Sequence, residues 1–206
     1  MIAWALASAC RLVTGATVEW RCDPNGDSQR IYFANHTSHL DFIVIWSALP
    51  PRLRPHARPV AGLDYWNTSA LRRYVARDVF RAVLIERGHS GTVAAAQHAI
   101  EQMRLEMGER DSLIVFPEGT RSVDGRLGCF KSGLYHLARA KPAAELTPVL
   151  LENLDRILPK GQTLPVPMLS RVTFGAPLQT CRDDSKDRFL ERARMALLAL
   201  GRRNDS

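Results

Sequence analysis

Seven short apolar runs, rich in β-branched and aromatic residues, recur along the chain, each closed by turn residues. They are Thr17–Arg21, Arg30–Ala34, Arg58–Ala61, Ala82–Glu86, Ser112–Phe116, Leu146–Leu151 and Arg171–Phe174. Runs this short, bounded by turns, read as buried strands. Helical patterns fit between them. Phe42–Leu49 is apolar almost all round, and Gly91–Met107 sets Val93, Ala96, Ile100, Met103 and Met107 on one face. Residues 131–140 read as a short helix stopped before Pro142. Lys186–Leu200 sets Phe189, Ala193, Ala196, Leu197 and Leu200 on one side and Arg188, Arg192 and Arg194 elsewhere. A basic amphipathic helix of that kind either covers a sheet or lies on a membrane. The alternation predicts one α/β domain over residues 1–206, with a central, mostly parallel or mixed sheet flanked by helices.

Composition narrows the partners. Apolar residues make up 46% of the 206 and charged residues 24%, an ordinary globular balance that excludes a disordered chain. The net charge of +7 favours anionic partners: nucleic acid, anionic lipid or phosphorylated small molecules. The basic residues are not interleaved with an aromatic platform, which counts against nucleic acid. Cys10, Cys22, Cys129 and Cys181 are scattered without a C-x-x-C pair, so neither a zinc ribbon nor a disulfide framework is expected, and a reducing compartment fits. No apolar run reaches the about 20 residues of a spanning helix. Residues 1–14 read as an interfacial N-terminal helix or as a helix packed on the core.

Two strand exits carry unusual chemistry. Asn35-His36-Thr37-Ser38-His39-Leu40-Asp41 follows the second run, and Phe116-Pro117-Glu118-Gly119-Thr120-Arg121-Ser122 ends the fifth. In α/β folds such loops at strand ends gather the functional residues. On a regular helix five residues is about 500°, so His36 and Asp41 would point apart. With His36 in the turn before the helix, the chain folds back and Asp41 can accept from one imidazole nitrogen, while Thr37 or Ser38 caps the helix. A carboxylate partner fixes the tautomer and leaves the other nitrogen to take a proton. By spacing alone a capped turn with a surface histidine fits better than a working pair, and His36, His39 and Asp41 also form an H-x-x-H-x-D set for a metal-dependent hydrolase. In the second exit, Gly119 permits a left-handed backbone, Arg121 offers a planar fork to phosphate, and Glu118 either holds that fork or binds a substrate hydroxyl. Val83-Leu84-Ile85-Glu86-Arg87-Gly88 repeats the design, and two strands each delivering an arginine make a phosphate cradle.

Taken in order, these pieces resemble the glycerolipid acyltransferase superfamily, typified by 1-acylglycerol-3-phosphate (lysophosphatidic acid) acyltransferases. Its N-H-x-S-x-x-D block is matched by Asn35, His36, Ser38 and Asp41, and its F-P-E-G-T-R-S block at every position from Phe116 to Ser122. Val83–Arg87 matches a G-x-x-F-I-x-R block in part, with Arg81 in place of its glycine. Thr147-Pro148-Val149-Leu150 loosely matches a V-P-V strand, and Phe130-Lys131-Ser132-Gly133 an F-K-x-G segment. The likeness spans roughly residues 30–175; Thr37 departs from it, standing where arginine or glutamine is usual. The resemblance implies that His36 deprotonates an acceptor hydroxyl, that Asp41 orients His36, and that Arg87, Glu118, Gly119, Thr120 and Arg121 hold the acceptor's phosphate and glycerol. It implies acyl-CoA or acyl carrier protein as co-substrate, with no metal or other cofactor. It further implies a lysophospholipid acceptor and peripheral or monotopic attachment at the cytoplasmic face of a membrane. A non-catalytic protein that binds anionic lipid is the competing expectation.

Overall fold

All seven runs become strands of one sheet in the computed structural model, which describes residues 10, 15–24, 26, 28–38, 40–86, 92–122, 125–154, 170–180 and 183–201. The strands are β1 (Thr17–Trp20), β2 (Arg30–Ala34), β3 (Ala57–Gly62), β4 (Val83–Ile85), β5 (Ser112–Val115), β6 (Glu145–Glu152) and β7 (Arg171–Phe174). Their order is β1-β7-β6-β2-β5-β3-β4. β6, β2, β5, β3 and β4 run parallel, β7 is antiparallel to β6, and β1 is parallel to β7. The expected mostly parallel, mixed sheet is therefore what forms.

Every residue of β2 is buried, because a central parallel strand is covered on both faces. Period two sends Tyr32 and Ala34 into one core and Ile31 and Phe33 into the other. The helices are α1 (Asp41–Ala48), α2 (Leu63–Trp66), α3 (Ala70–Tyr74), α4 (Val93–Met107), α5 (Gly133–Ala140) and α6 (Lys186–Leu200). In the first core Val44, Ile45 and Trp46 of α1 meet Tyr32, Ile114 and Val149. In the second, Met103 and Met107 of α4, Leu134 and Leu137 of α5, and Phe189, Ala193 and Leu197 of α6 meet Ile31, Phe33 and Leu113. Helix α6 thus covers the sheet with its apolar side.

Strand order decides where a site can form. From β2 the chain moves outward, through α1 to β3 and through α2 and α3 to β4. It then turns back, through α4 to β5 and through α5 to β6. Right-handed crossovers put the outbound and returning helices on opposite faces. Strands β2 and β5 are hydrogen-bonded neighbours whose exits leave toward opposite faces. Such a reversal opens a crevice beyond the carboxyl ends of the two strands. The two unusual motifs are the exits of these two strands.

Two local expectations are corrected. Helix α4 begins at Val93, with Thr92 Oγ1 accepting the Ala95 N–H at 3.3 Å. Val93 is 74% exposed, so the buried side of this helix starts only at its middle, with Met103 and Met107 buried. Helix α5 starts at Gly133 rather than 131; ahead of it the Lys131 N–H donates to the Pro117 carbonyl at 2.8 Å. The pair α2 and α3, followed by a π turn at Val75–Val79, was not foreseen; no residue of α3 is buried, so no apolar periodicity marks it. Of residues 1–14 only Cys10 is described, packed against the first core; the rest of the expected N-terminal helix lies outside the described residues. Among the described residues no helix is long and apolar enough to cross a membrane.

Candidate active site

His36 lies in extended chain two residues past the end of β2, and Asp41 opens α1. The turn between them folds the chain back, and His36 Nδ1 meets Asp41 Oδ2 at 2.8 Å. The same oxygen accepts the Thr37 N–H at 2.6 Å and the Ser38 N–H at 2.9 Å. Asp41 is fully buried in the first turn of α1. An ionised carboxylate only accepts, so neutral His36 carries its proton on Nδ1 and turns a lone pair outward on Nε2. Among the described residues Nε2 has no protein partner, and the side chain is 18% exposed. The expected capping is placed differently. Leu40 is the N-cap and makes no side-chain bond, while Ser38 Oγ accepts the Leu40 N–H at 3.3 Å just before it.

The second motif holds the first. Phe116 stacks on the imidazole, with ring centres 4.3 Å apart and planes inclined by 22°. Glu118 Oε1 accepts the His36 N–H at 2.8 Å, and the Ser122 N–H donates to the His36 carbonyl at 2.8 Å. Both backbone groups of His36 are thus fixed by a loop more than eighty residues away. The other Glu118 oxygen, Oε2, accepts the Gly128 N–H at 2.8 Å. Glu118 is buried and occupied on both oxygens, and it makes no ion pair with Arg121 among the described residues. On the far side Asn35 continues the β2–β6 ladder with its side chain: Nδ2 donates to the Leu151 carbonyl at 2.9 Å and Oδ1 accepts the Leu151 N–H at 2.8 Å.

Beside the pair, Gly119 sits at φ +72°, in the left-handed region. A Cβ there would lie 2.8 Å from Lys131 Nζ, so the lysine side chain runs directly over this glycine. Lys131 was visible in sequence only as part of an F-K-x-G segment and was not counted as a site residue. Its ammonium and the half-buried Arg121 guanidinium have no carboxylate partner among the described residues. Thr120 is exposed next to them. Strand β4 ends at the same sheet edge, level with Gly62, but Arg87 lies outside the described residues. His39 of the H-x-x-H-x-D set also lies outside them. Among the described residues no three His, Cys, Asp or Glu side chains converge as metal ligands. A cavity of about 270 Å³ lined by Ser28, Arg52, His56, Arg110 and Ser112 opens at the opposite edge, where β2, β3 and β5 begin, away from the histidine.

A histidine–carboxylate pair at the reversal point of an α/β sheet, with two cations beside it, has the chemistry to move a proton next to an anion. Comparison with known proteins gives this class its family. Residues 20–152 match the family described as Acyltransferase. The chain is 31% identical to a 1-acyl-sn-glycerol-3-phosphate acyltransferase of Limnanthes alba, over 81% of this chain and 56% of that one. It is 28% identical to 1-acyl-sn-glycerol-3-phosphate acyltransferase alpha of Homo sapiens, over 60% of this chain and 40% of that one. The crystal structure of the 1-acyl-sn-glycerophosphate (LPA) acyltransferase PlsC from Thermotoga maritima superposes with a TM-score of 0.73. That likeness covers 99% of this chain and 82% of that one at 19% identity, and is one of fold. The chain belongs to the acyltransferase family, and it spans 56% of the length of the Limnanthes alba relative it matches.

Proposed function

We propose that this protein is an O-acyltransferase that moves a fatty acyl group from a thioester to the free hydroxyl of lysophosphatidate or a closely related lysophospholipid. The observation that carries the reading is the His36 Nδ1–Asp41 Oδ2 contact of 2.8 Å, which leaves Nε2 as the only nitrogen available to a substrate. The acceptor hydroxyl donates its proton to Nε2 as its oxygen attacks the thioester carbonyl carbon. The new C–O bond forms, the C–S bond breaks, and the departing thiolate takes the proton back from the imidazolium. Asp41 holds the ring and stabilises the imidazolium. No acyl-enzyme is needed, because the acceptor is itself the nucleophile. No metal or other cofactor enters this scheme.

The acceptor's phosphate faces Arg121 and Lys131 beside the Gly119 backbone, with Thr120 at the rim. Arg87, which lies outside the described residues, adds a third cation in this reading. Glu118 acts from behind, holding the His36 and Gly128 backbone. The names of the curated relatives support the acceptor class, and the donor is acyl-CoA or acyl carrier protein. The site of action is a membrane surface, reached peripherally or monotopically from the cytoplasmic face. The basic charge of the chain supports that setting, since anionic headgroups attract it.

The test is release of thiol from acyl-CoA across a panel of lysolipid acceptors. Wild-type protein releases thiol with lysophosphatidate. His36→Ala lowers kcat by about 10²–10⁴-fold with the fold intact, the usual weight of a general base. Asp41→Asn lowers it too, because an amide no longer secures the Nδ1–H tautomer. Near-wild-type turnover in His36→Ala would overturn the mechanism.

A further inference from the structure

The crossover from β3 to β4 exposes one side in an unusual composition. Ser69 caps α3 by accepting the Arg72 N–H at 3.2 Å, and the π turn follows without a break, giving one helical stretch over residues 70–79. Its inner side is firmly seated. Ala76 is fully buried, and Phe80, just beyond, meets Phe42 and Trp46 edge to face at 5.0 and 5.2 Å. Its outer side carries Leu71, 72% exposed, and Tyr74, 47% exposed. These two are three residues apart, hence neighbours on the helix surface. Arg72, Arg73 and Arg77 surround them, all exposed, against Asp78 and the exposed Asp64 at the start of the segment. Arg72 and Arg73 also bond back to Thr68 and Asn67 at 2.9 and 3.1 Å, which steadies the helix start.

A lone exposed leucine is ordinary on a protein surface. Here it stands with a tyrosine, whose ring is apolar and whose tip is polar, and with three guanidiniums on long apolar stems. That combination suits a boundary between water and lipid headgroups. Position adds a second reason. Trp66, which leads into the segment, meets Phe42 edge to face at 5.7 Å, and Phe42 follows Asp41. The segment leaves the sheet from the end of β3, at the edge where His36 sits.

We infer that the outer side of residues 69–77 docks on an anionic bilayer, with Leu71 and Tyr74 in the headgroup layer and Arg72, Arg73 and Arg77 against lipid phosphates. The docked orientation brings the His36 edge toward lysolipid held in the same leaflet. What is delivered there rests on the acyl transfer proposed above; the docking itself does not.

Co-sedimentation with vesicles of equimolar phosphatidylglycerol and phosphatidylcholine tests the surface, with pure phosphatidylcholine vesicles as control. Wild-type protein binds the anionic vesicles and not the neutral ones. The combined change R72Q, R73Q and R77Q weakens binding by about fivefold for each arginine lost. Leu71→Gln with Tyr74→Gln weakens it at unchanged charge. Both variants turn over a water-soluble short-chain lysophosphatidate at the wild-type rate, while turnover of long-chain lysophosphatidate held in vesicles falls with binding. Undiminished vesicle binding in both variants overturns the proposal. So does a loss confined to acyl carrier protein as donor with vesicle binding kept, since the patch would then receive a protein. If no acceptor is acylated by wild type yet vesicle binding still depends on these side chains, the docking stands and the acyl transfer fails.

Discussion

Three N–H donors converge on Asp41 Oδ2, and the carboxyl group can neither turn nor withdraw without breaking all of them. Glu118 does the corresponding work for the backbone, holding His36 N–H with one oxygen and Gly128 N–H with the other. The family resemblance puts Glu118 among the residues that hold the acceptor. The geometry assigns its oxygens to the chain, and a substitution separates the two roles. Glu118→Gln puts an amide donor against one of two backbone donors, at a cost of about 1–3 kcal/mol for a buried group left unpaired. Urea unfolding reads that cost. In steady-state kinetics a holding role lowers kcat and spares KM for the acceptor, whereas direct contact with the acceptor raises KM.

At the scale of elements, amphipathic periodicity located α6 within its true bounds, Lys186–Leu200, but left open what its apolar side meets. It meets the sheet: Leu197 is fully buried in the second core, among residues of β2, β5 and α5. Leu197→Ala is therefore expected to destabilise the protein by about 2–5 kcal/mol, read as a lower urea midpoint at unchanged slope. A helix lying only on a membrane would show almost no change in detergent-free solution. Helices α2 and α3 were illegible for the opposite reason. They are only four and five residues long, and α3 buries none of its side chains, so nothing periodic distinguishes them from a loop.

At the scale of the molecule, the sheet has two unlike edges. The carboxyl edge gathers His36, Asp41, Arg121, Lys131 and the start of the α2–α3 crossover. The amino edge is tied by buried polar groups: Arg30 bonds Glu145 at 2.9 Å, and Asp111 accepts from Arg81 at 2.9 Å. Beside Arg30, burial pushes the Tyr32 phenol above its ordinary value, and burial likewise raises the Cys22 thiol. Both groups keep their protons longer in the folded chain than in the unfolded one. Their contribution is complete below the unfolded values, near 9 for the thiol and 10 for the phenol, and is lost as pH rises through the folded ones. Stability measured by urea unfolding should therefore decline above about pH 9–10, and Tyr32→Phe should flatten part of that decline.

The chain by itself determined the seven strands, the longer helices, the α/β class and the chemical kinds of side chain at two strand exits. These are local properties: period, turn residues and motif spacing act over a few neighbours and survive in a linear reading. Only the tertiary structure decided that His36 and Asp41 meet, since their spacing by itself favours a capped turn over a working pair. Only it brought Glu118 to the His36 backbone across eighty-two positions, and Lys131 over Gly119. Those meetings depend on β2 and β5 being neighbours with exits to opposite faces, and strand order follows from how the whole set of apolar faces is buried at once.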